Sequence, residues 1–301
     1  MELVSPKLNF DFLAKSKYAV IISLAVICYS FYLWFSLGGD KYGVDYKGGT
    51  EVVVQFKKEI KSDKIRKALK ESGIATAIVQ SFEEGTREFS IRVGGSDESV
   101  KANIKKALDS GFKDSYEIEK IDVVGPTIGK ELRRKALMAV IFGLVGMLIY
   151  ISVRFEFAFA LGAVVALFHD VVVCTGVYLL CGREISASTL AAALTIVGYS
   201  VNDTIIIFDR CREYILKTKK FNLVEVMNAS INSTLGRTII TSLLTLFSAL
   251  ALLLYGGGAI ADLSLYLVVG VITGTYSTIF IACPVVIAWD KWRYEAKRDS
   301  A

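Results

Sequence analysis

The stretch LTIVGYSVNDTIIIFDR, residues 194–210, places Asn202 and Asp203 inside an apolar run that is long enough to cross a membrane as a helix. An ionised aspartate near the middle of a spanning helix opposes insertion by roughly 2.5 to 3.5 kcal/mol. Residues that cost this much are by default functional, so the stretch predicts both a membrane protein and a site within the membrane.

Long apolar blocks recur along the 301-residue chain, in which 53% of the residues are hydrophobic. A helix needs about 20 apolar residues to cross a bilayer. Six blocks meet this length and predict the spans 18–37, 136–153, 157–181, 187–208, 238–255 and 263–288. The first block is longer than the apolar core of a signal peptide and lacks a small-residue cleavage site, so we expect an uncleaved anchor.

Basic residues flank some ends of the predicted spans and not others. These cations are Lys7, Lys15, Lys17, Arg210, Arg212, Lys217, Lys219, Lys220, Arg237, Lys291, Arg293, Lys297 and Arg298. Because Lys and Arg collect on the cytoplasmic side, segments 1–17, 209–237 and 289–301 are predicted to be cytoplasmic. Both termini would then face the cytoplasm. The flanks account for the formal net charge of +5, so no nucleic-acid partner is expected.

The region between the first two spans, residues 38–135, has the pattern of a small α+β domain outside the cytoplasm. Its β-branched and amphipathic segments predict the order β-α-β-β-α-β over 50–56, 62–73, 75–82, 87–93, 97–111 and 116–124. This order is typical of a ferredoxin-like fold. The region contains no His and no Cys. We therefore expect a binding or docking module rather than an enzyme, with no catalytic residue, metal site, cofactor or disulfide.

Several motifs in the sequence resemble one known family. They are GVDYKGGTEVVVQF (43–56), VGPTIGKELRRKA (124–136), GREISASTLAAALTIVGYSVNDTIIIFDRCRE (182–213), NSTLGRTIITSLLTL (232–246) and YGGGAIADLSLYLVVGVITGTYSTIFIACPVV (255–286). Together they resemble the SecD/SecF family of protein-export membrane proteins, and within it the smaller, SecF-type subunit. The resemblance runs from about residue 43 to residue 288.

The resemblance implies a six-span protein of the resistance-nodulation-division superfamily in the prokaryotic inner membrane. Transporters of this superfamily generally have twelve spans and two outside domains, so SecD would supply the other half. The pair would assist the SecYEG channel and would use the proton gradient, rather than a cofactor, to draw secreted polypeptides outward.

Two charged residues are predicted to share one depth in the membrane. Asp203 lies five residues before the end of its apolar block, or roughly 8 Å along a helix. Arg237 directly precedes the next block, and a long Arg side chain can extend along apolar surface. Burial favours the neutral carboxylic acid and a nearby cation favours the carboxylate, so an Arg that moves would make Asp203 a proton switch. The family resemblance assigns both residues to a proton pathway, with an Asp of SecD as a third member.

Further polar and small residues lie within the predicted spans. His169 and Asp170, near the middle of block 157–181, could relay protons or could bond between helices. Tyr199 and Asn202 share a helix face with Thr195, and that face could line water or join helices. The GxxxG spacing of Gly270 and Gly274 predicts close helix packing.

Two other functions remain open at this level. The chain could be a purely structural subunit that holds SecD in the translocon. It could also be half of a proton-coupled exporter of small molecules. A scaffold would not require costly charged groups such as Asp203 in the membrane, and a single small outside domain offers no enclosed path for a small molecule.

Overall fold

The computed structural model describes residues 10–74, 76–81, 87–113, 115–217 and 222–299. The predicted cytoplasmic cations Lys7, Lys219 and Lys220 lie outside the described residues, as do the side chains of Lys297 and Arg298. Residues 75 and 82, the ends of one predicted strand, also lie outside them.

Helices dominate the described structure. In chain order the elements are a 3-10 turn (Leu13–Lys15), α1 (Ser16–Ser36), α2 (Val44–Lys47), β1 (Gly49–Phe56), α3 (Ser62–Glu71), β2 (Ile78–Ser81), β3 (Glu88–Val93), α4 (Glu98–Phe112), β4 (Tyr116–Val124), α5 (Pro126–Arg154), α6 (Phe157–Leu180), α7 (Ala187–Lys217), α8 (Leu223–Tyr255), α9 (Gly258–Ser277), a π turn (Thr278–Ala282) and α10 (Cys283–Asp299). Among these residues, six helical stretches are long and apolar enough to cross a membrane. The prediction of six membrane helices is therefore confirmed.

Several membrane helices extend beyond the apolar blocks that predicted them. Helix α5 begins at Pro126 rather than near residue 136, and its proline occupies the first turn, where the missing N–H costs nothing. Helix α7 runs on to Lys217, and α8 already begins at Leu223. Apolarity marks the part of a helix that contacts lipid, whereas charged residues such as Lys and Glu continue the helix into water.

Three helical stretches form the centre of the membrane bundle. In their apolar parts, 50% to 56% of the residues are buried in α6, in α7 and in the stretch from α9 to α10. The corresponding share is 6% to 17% in α1, α5 and α8. The core between them includes Phe159, Leu167, Ile207, Phe208, Ile279 and Ala282. Polar groups on the inner faces of α6, α7 and α9 are therefore shielded from lipid.

The small domain is a four-stranded antiparallel sheet with two helices. Its strand order is β2-β3-β1-β4, and its elements follow one another in the predicted β-α-β-β-α-β order. Val52 of β1 pairs with Ile91 of β3 on one side and with Ile121 of β4 on the other. Helices α3 and α4 cover one face through a core of Val52, Val54, Phe56, Ile65, Leu69, Phe89, Ile91, Ile104 and Leu108. The short helix α2 was not predicted.

The opposite face of the sheet rests on the bundle end that carries the α6–α7 connection. Polar contacts make this junction. Gln80 Nε2 donates to the Gly182 carbonyl at 3.1 Å, and the Gly43 amide donates to the Ile185 carbonyl at 2.9 Å. The Gly258 amide donates to Glu88 Oε2 at 3.1 Å. The domain is therefore held over the membrane helices by directional bonds.

Candidate functional site

Asp203 lies on the buried face of α7. Its neighbours on that face, Ile196, Val197, Val201 and Ile207, pack into the apolar interior, and this helical register carries Asp203 inward with them. The side chain is 3% exposed, and Oδ2 has no hydrogen-bond partner among the residues that the structure describes. A buried oxygen without a donor is costly, above all on an ionised group. The surroundings of Asp203 therefore favour the neutral acid.

Arg237 does not contact Asp203 in this structure. Helices α7 and α8 pack against each other, but no ion pair of 4.0 Å or less joins the two side chains within the described ranges. Arg237 is exposed on α8. The next residue, Thr238, is buried, and its Oγ1 is a second atom without a hydrogen-bond partner among the described residues.

Asp170 is the most completely bonded carboxylate within the membrane. It is fully buried on α6. Its Oδ2 accepts hydrogen bonds from Ser200 Oγ of α7 at 2.7 Å and from Ser277 Oγ of α9 at 2.8 Å. His169 Nδ1 lies 3.0 Å from the other oxygen, Oδ1. One carboxyl group thereby connects the three central helices.

His169 continues this network to the first helix. Its Nε2 lies 3.2 Å from Ser23 Oγ of α1, and Ser23 Oγ lies 2.9 Å from the Tyr276 hydroxyl of α9. The Tyr276 hydroxyl donates to the Ala19 carbonyl at 2.7 Å. Together Ser23, His169, Asp170, Ser200, Tyr276 and Ser277 are here called the His169 cluster.

The helix at one side of the His169 cluster changes its winding. Residues Thr278–Ala282 form a π turn directly after Ser277. Thr278 Oγ1 lies 3.0 Å from Thr204 Oγ1 of α7, and both hydroxyls are buried. Single π turns inside α-helices are frequent at functional sites, because they leave the helix ladder locally weaker. Here the turn directly follows Ser277, which donates to Asp170.

The other predicted membrane residues occupy different surroundings. Tyr199 donates to Ser242 Oγ at 3.3 Å, and Ser242 lies 2.7 Å from Thr275 Oγ1, so Tyr199 joins α7, α8 and α9. Asn202 is exposed on the outer face of α7. Tyr199 therefore bonds between helices within this chain, while Asn202 faces away from the bundle.

Two glycines of α9 face α7 closely. A Cβ atom at Gly270 would overlap the side chain of Ile196, and one at Gly274 would lie 3.1 Å from Ser200 Cβ. A side chain at residue 270 would therefore force the helices apart, and one at residue 274 would need Ser200 to shift. This close approach brings Ser277 within reach of Asp170. Helix packing and the His169 cluster therefore depend on the same glycines.

Sequence reasoning did not identify the partners of His169 and Asp170. Ser23, Ser200, Tyr276 and Ser277 come from three helices that are distant in sequence. Isolated serines in apolar helices are common, so these serines could be recognised as part of a site only from their meeting in the folded structure. No hydrogen bond links the His169 cluster to Asp203 in the described part of the chain. Within the same part, no three His, Cys, Asp or Glu side chains are grouped to hold a metal ion.

Comparison with known families and proteins gives consistent matches. The family model "Protein export membrane protein SecD/SecF, C-terminal" matches residues 103–292. The protein translocase subunit SecF of Rickettsia felis is 38% identical over 301 residues, which is 99% of this chain and 97% of that protein. SecF of Calditerrivibrio nitroreducens is 39% identical, over 95% of this chain and 96% of that protein.

Solved structures of a longer protein share the fold. The crystal structure of SecDF from Thermus thermophilus, a translocon-associated membrane protein, matches with a TM-score of 0.88 and 34% identity. The match covers 97% of this chain and 40% of that one. SecDF in its super-membrane-facing form matches with a TM-score of 0.73 and 35% identity, over 41% of its length. The chain therefore spans about two fifths of each SecDF polypeptide.

Proposed function

This chain belongs to the SecD/SecF family, as a SecF-type subunit of the Sec protein translocase, and on that premise we propose that it couples proton movement to the export of polypeptides. It is a multi-pass protein of the cell membrane. The proposal includes work on secreted polypeptides at a SecYEG channel, with both termini in the cytoplasm. It requires no enzymatic step and no cofactor, because the proton gradient supplies the energy.

A separate SecD subunit is the partner that the proposal requires. Each SecDF structure is a single longer chain, and this chain matches only about two fifths of it. Asn202 and Arg237 are polar, yet both are exposed on the membrane bundle. A polar group that faces lipid is expensive, as Asn202 would be within its span, so a second set of helices over this surface would stabilise it. We therefore place SecD against the exposed faces of α7 and α8.

The observation that carries the proposal is the burial of Asp203 without a hydrogen-bond donor to its Oδ2 among the described residues. The missing donor favours a bound proton, and Arg237 on the neighbouring helix α8 makes no ion pair with Asp203 in the same ranges. If Arg237 moves towards Asp203, the carboxylate is stabilised and the proton leaves; if Arg237 withdraws, a proton returns. A proton that crosses yields about 2.3 kcal/mol per 100 mV and about 1.4 kcal/mol per pH unit.

The test is export into membrane vesicles that contain the chain together with SecD and SecYEG. Asp203→Asn keeps the size of the side chain and removes its titration. The matched control is Asp209→Asn, because Asp209 lies on the same helix but is half-exposed, 3.8 Å from Arg154. We expect Asp203→Asn to lose the gradient-dependent part of export and Asp209→Asn to retain it. Equal gradient dependence in both variants would leave the structural-subunit alternative in place of this proposal.

A further inference from the structure

We infer that His169 and Asp170 form a second proton-binding site, in which one proton sets the direction of the hydrogen bonds that join α1 to α6 and α9. The proposed function enters only in assigning this proton a role in export. The binding itself follows from counting donors and acceptors in the His169 cluster.

The chain of bonds has a fixed direction at one end. The Tyr276 hydroxyl has a single proton, and it donates this proton to the Ala19 carbonyl, which can only accept. The Tyr276 oxygen must therefore accept from Ser23, 2.9 Å away. Ser23 also has one proton, so its oxygen must accept from His169 Nε2 at 3.2 Å. Nε2 of His169 consequently carries a hydrogen.

The other ring nitrogen is bonded as well. His169 Nδ1 lies 3.0 Å from Asp170 Oδ1, and a hydrogen must lie between these two atoms. The pair then holds one proton more than a carboxylate with a neutral imidazole. The extra proton resides either on Nδ1, as imidazolium and carboxylate, or on Oδ1, as imidazole and carboxylic acid. Both arrangements have zero net charge, which suits a buried position.

Loss of that proton would reverse the direction in which the Ser23 and Tyr276 hydroxyl groups donate their hydrogen bonds. Nε2 would become an acceptor while Nδ1 donates to Asp170, so Ser23 would have to donate to Nε2. The contact between Ser23 and Tyr276 would then require the tyrosine proton, and the Ala19 carbonyl would lose its donor. Proton release therefore removes the bond by which α9 holds the backbone of α1.

Within the described residues no Lys or Arg side chain pairs with Asp170, and His169 is its partner at 3.0 Å. Helix α7 presents Ser200 and α9 presents Ser277, neither of which titrates. Tyr266 of α9 and Cys174 of α6 also lie near Asp170, and the Tyr276 ring lies 6.0 Å from the His169 ring; none of these side chains can carry a positive charge. The deprotonated pair would therefore leave a single uncompensated charge in the bundle core.

The chain has one histidine, so every histidine signal in a spectrum belongs to His169. The experiment is ¹⁵N NMR of the full chain, labelled with ¹⁵N-histidine, purified with a histidine-free tag and embedded in lipid nanodiscs. We expect Nε2 to be protonated near neutral pH and to become a bare nitrogen in a single step at alkaline pH. A bare Nε2 across the whole pH range would overturn the inference, as would an Nε2 that stays protonated throughout.

Two variants test the hydrogen-bond chain itself. Tyr276→Phe keeps the ring and removes the acceptor for Ser23, so the step should move by about one pH unit towards acid, the effect of one hydrogen bond. Asp203→Asn should leave the step unchanged, because no bond links Asp203 to the cluster within the described residues. An unchanged step in Tyr276→Phe, or an equal shift in Asp203→Asn, contradicts a separate second site. Failure of Asp203→Asn in export would remain a distinct result.

Discussion

Arg92 Nη1 lies 2.9 Å from Glu184 Oε2, so strand β3 of the small domain is ion-paired to the connection between α6 and α7. The same guanidinium approaches Glu51 of β1 through Nε at 2.7 Å. Both side chains of the Arg92–Glu184 pair are largely shielded, at 13% and 14% exposure. Arg92 therefore fixes the small domain to the membrane bundle.

Removal of Arg92 should loosen this junction. Arg92→Ala leaves Glu51 and Glu184 without their shared cation in a shielded position, and broken pairs of this kind cost about 3 kcal/mol. The control is Lys47→Gln, because the pair of Lys47 with Asp40 is exposed and contributes little. Hydrogen exchange in β3 and in residues 182–186 measures the change. We expect faster exchange in Arg92→Ala alone, and equal rates in both variants would show that the pair does not hold the domain.

The junction should be most stable at a mildly acidic pH. Burial raises the pKa of Glu184 despite Arg92. Burial acts in the same direction on Glu51, but Arg92 and Ser90 outweigh it and hold its pKa below the usual range. A raised pKa means that the Glu184 contribution falls as the pH rises through the docked-state value. A lowered pKa means that the Glu51 contribution falls as the pH drops through its docked-state value.

The free energy of opening at β3, from hydrogen exchange corrected for intrinsic rates, should thus pass through a maximum. Glu184→Gln should reduce the decline on the alkaline side, to which Glu88 also contributes because burial raises its pKa, and Glu51→Gln should reduce the decline on the acid side. A profile that rises steadily towards neutral pH in the wild-type chain contradicts this assignment.

The contact of Gly270 with α7 should tolerate no side chain. Gly270→Ala places a methyl group against Ile196, and overpacking of this kind costs about 1 to 3 kcal/mol. Gly198→Ala is the matched control on α7, where a Cβ atom meets nothing within 4 Å among the described atoms. Unfolding in detergent measures both. The loss in the double variant Gly270→Ala/Ile196→Ala should be smaller than the sum of the losses in the two single variants, and additive losses would argue against direct contact.

The charge of Arg237 should matter more than its shape. Arg237→Lys retains a cation that can approach Asp203, whereas Arg237→Gln removes it. We expect the lysine variant to keep part of the gradient-dependent export and the glutamine variant to lose most of it, by roughly tenfold, equivalent to 1.4 kcal/mol. Lys217→Gln, which removes an exposed cation from the end of α7, serves as control. Equal export by the glutamine variant and the control would exclude Arg237 from the pathway.

The sequence allowed the six spans and the order of the small domain to be predicted, because apolar length and strand alternation are local signals. The ends of α5, α7 and α8 could not be predicted from apolarity, since these helices continue through charged residues such as Lys217. The meeting of side chains from distant parts of the sequence could not be predicted either, because it leaves no local pattern. Ser200 and Ser277 bond to Asp170 only because Gly270 and Gly274 let α9 approach α7.

The burial of Asp203 could be anticipated from the sequence, but whether it contacts Arg237 could not. Asp203 is buried, as a functional membrane carboxylate should be. The sequence predicted that Arg237 could either pair with Asp203 or lie apart from it, and among the described residues the two lie unpaired, with Arg237 on the exposed side of α8. Such a contact depends on the rotation of one helix about its axis. A span prediction fixes the depth of a residue and leaves that rotation open.

Infrared titration of the carboxyl groups, in the chain assembled with SecD in lipid, asks whether Asp203 binds and releases a proton. We expect the carboxylic acid absorption that is lost as the pH rises to contain one component, in the wild type and in Asp209→Asn, that Asp203→Asn lacks, while the signals of the other carboxyl groups, Asp170 included, remain in all three proteins. If Asp203→Asn lacks no component that Asp209→Asn retains, Asp203 exchanges no proton and the proposed coupling is wrong.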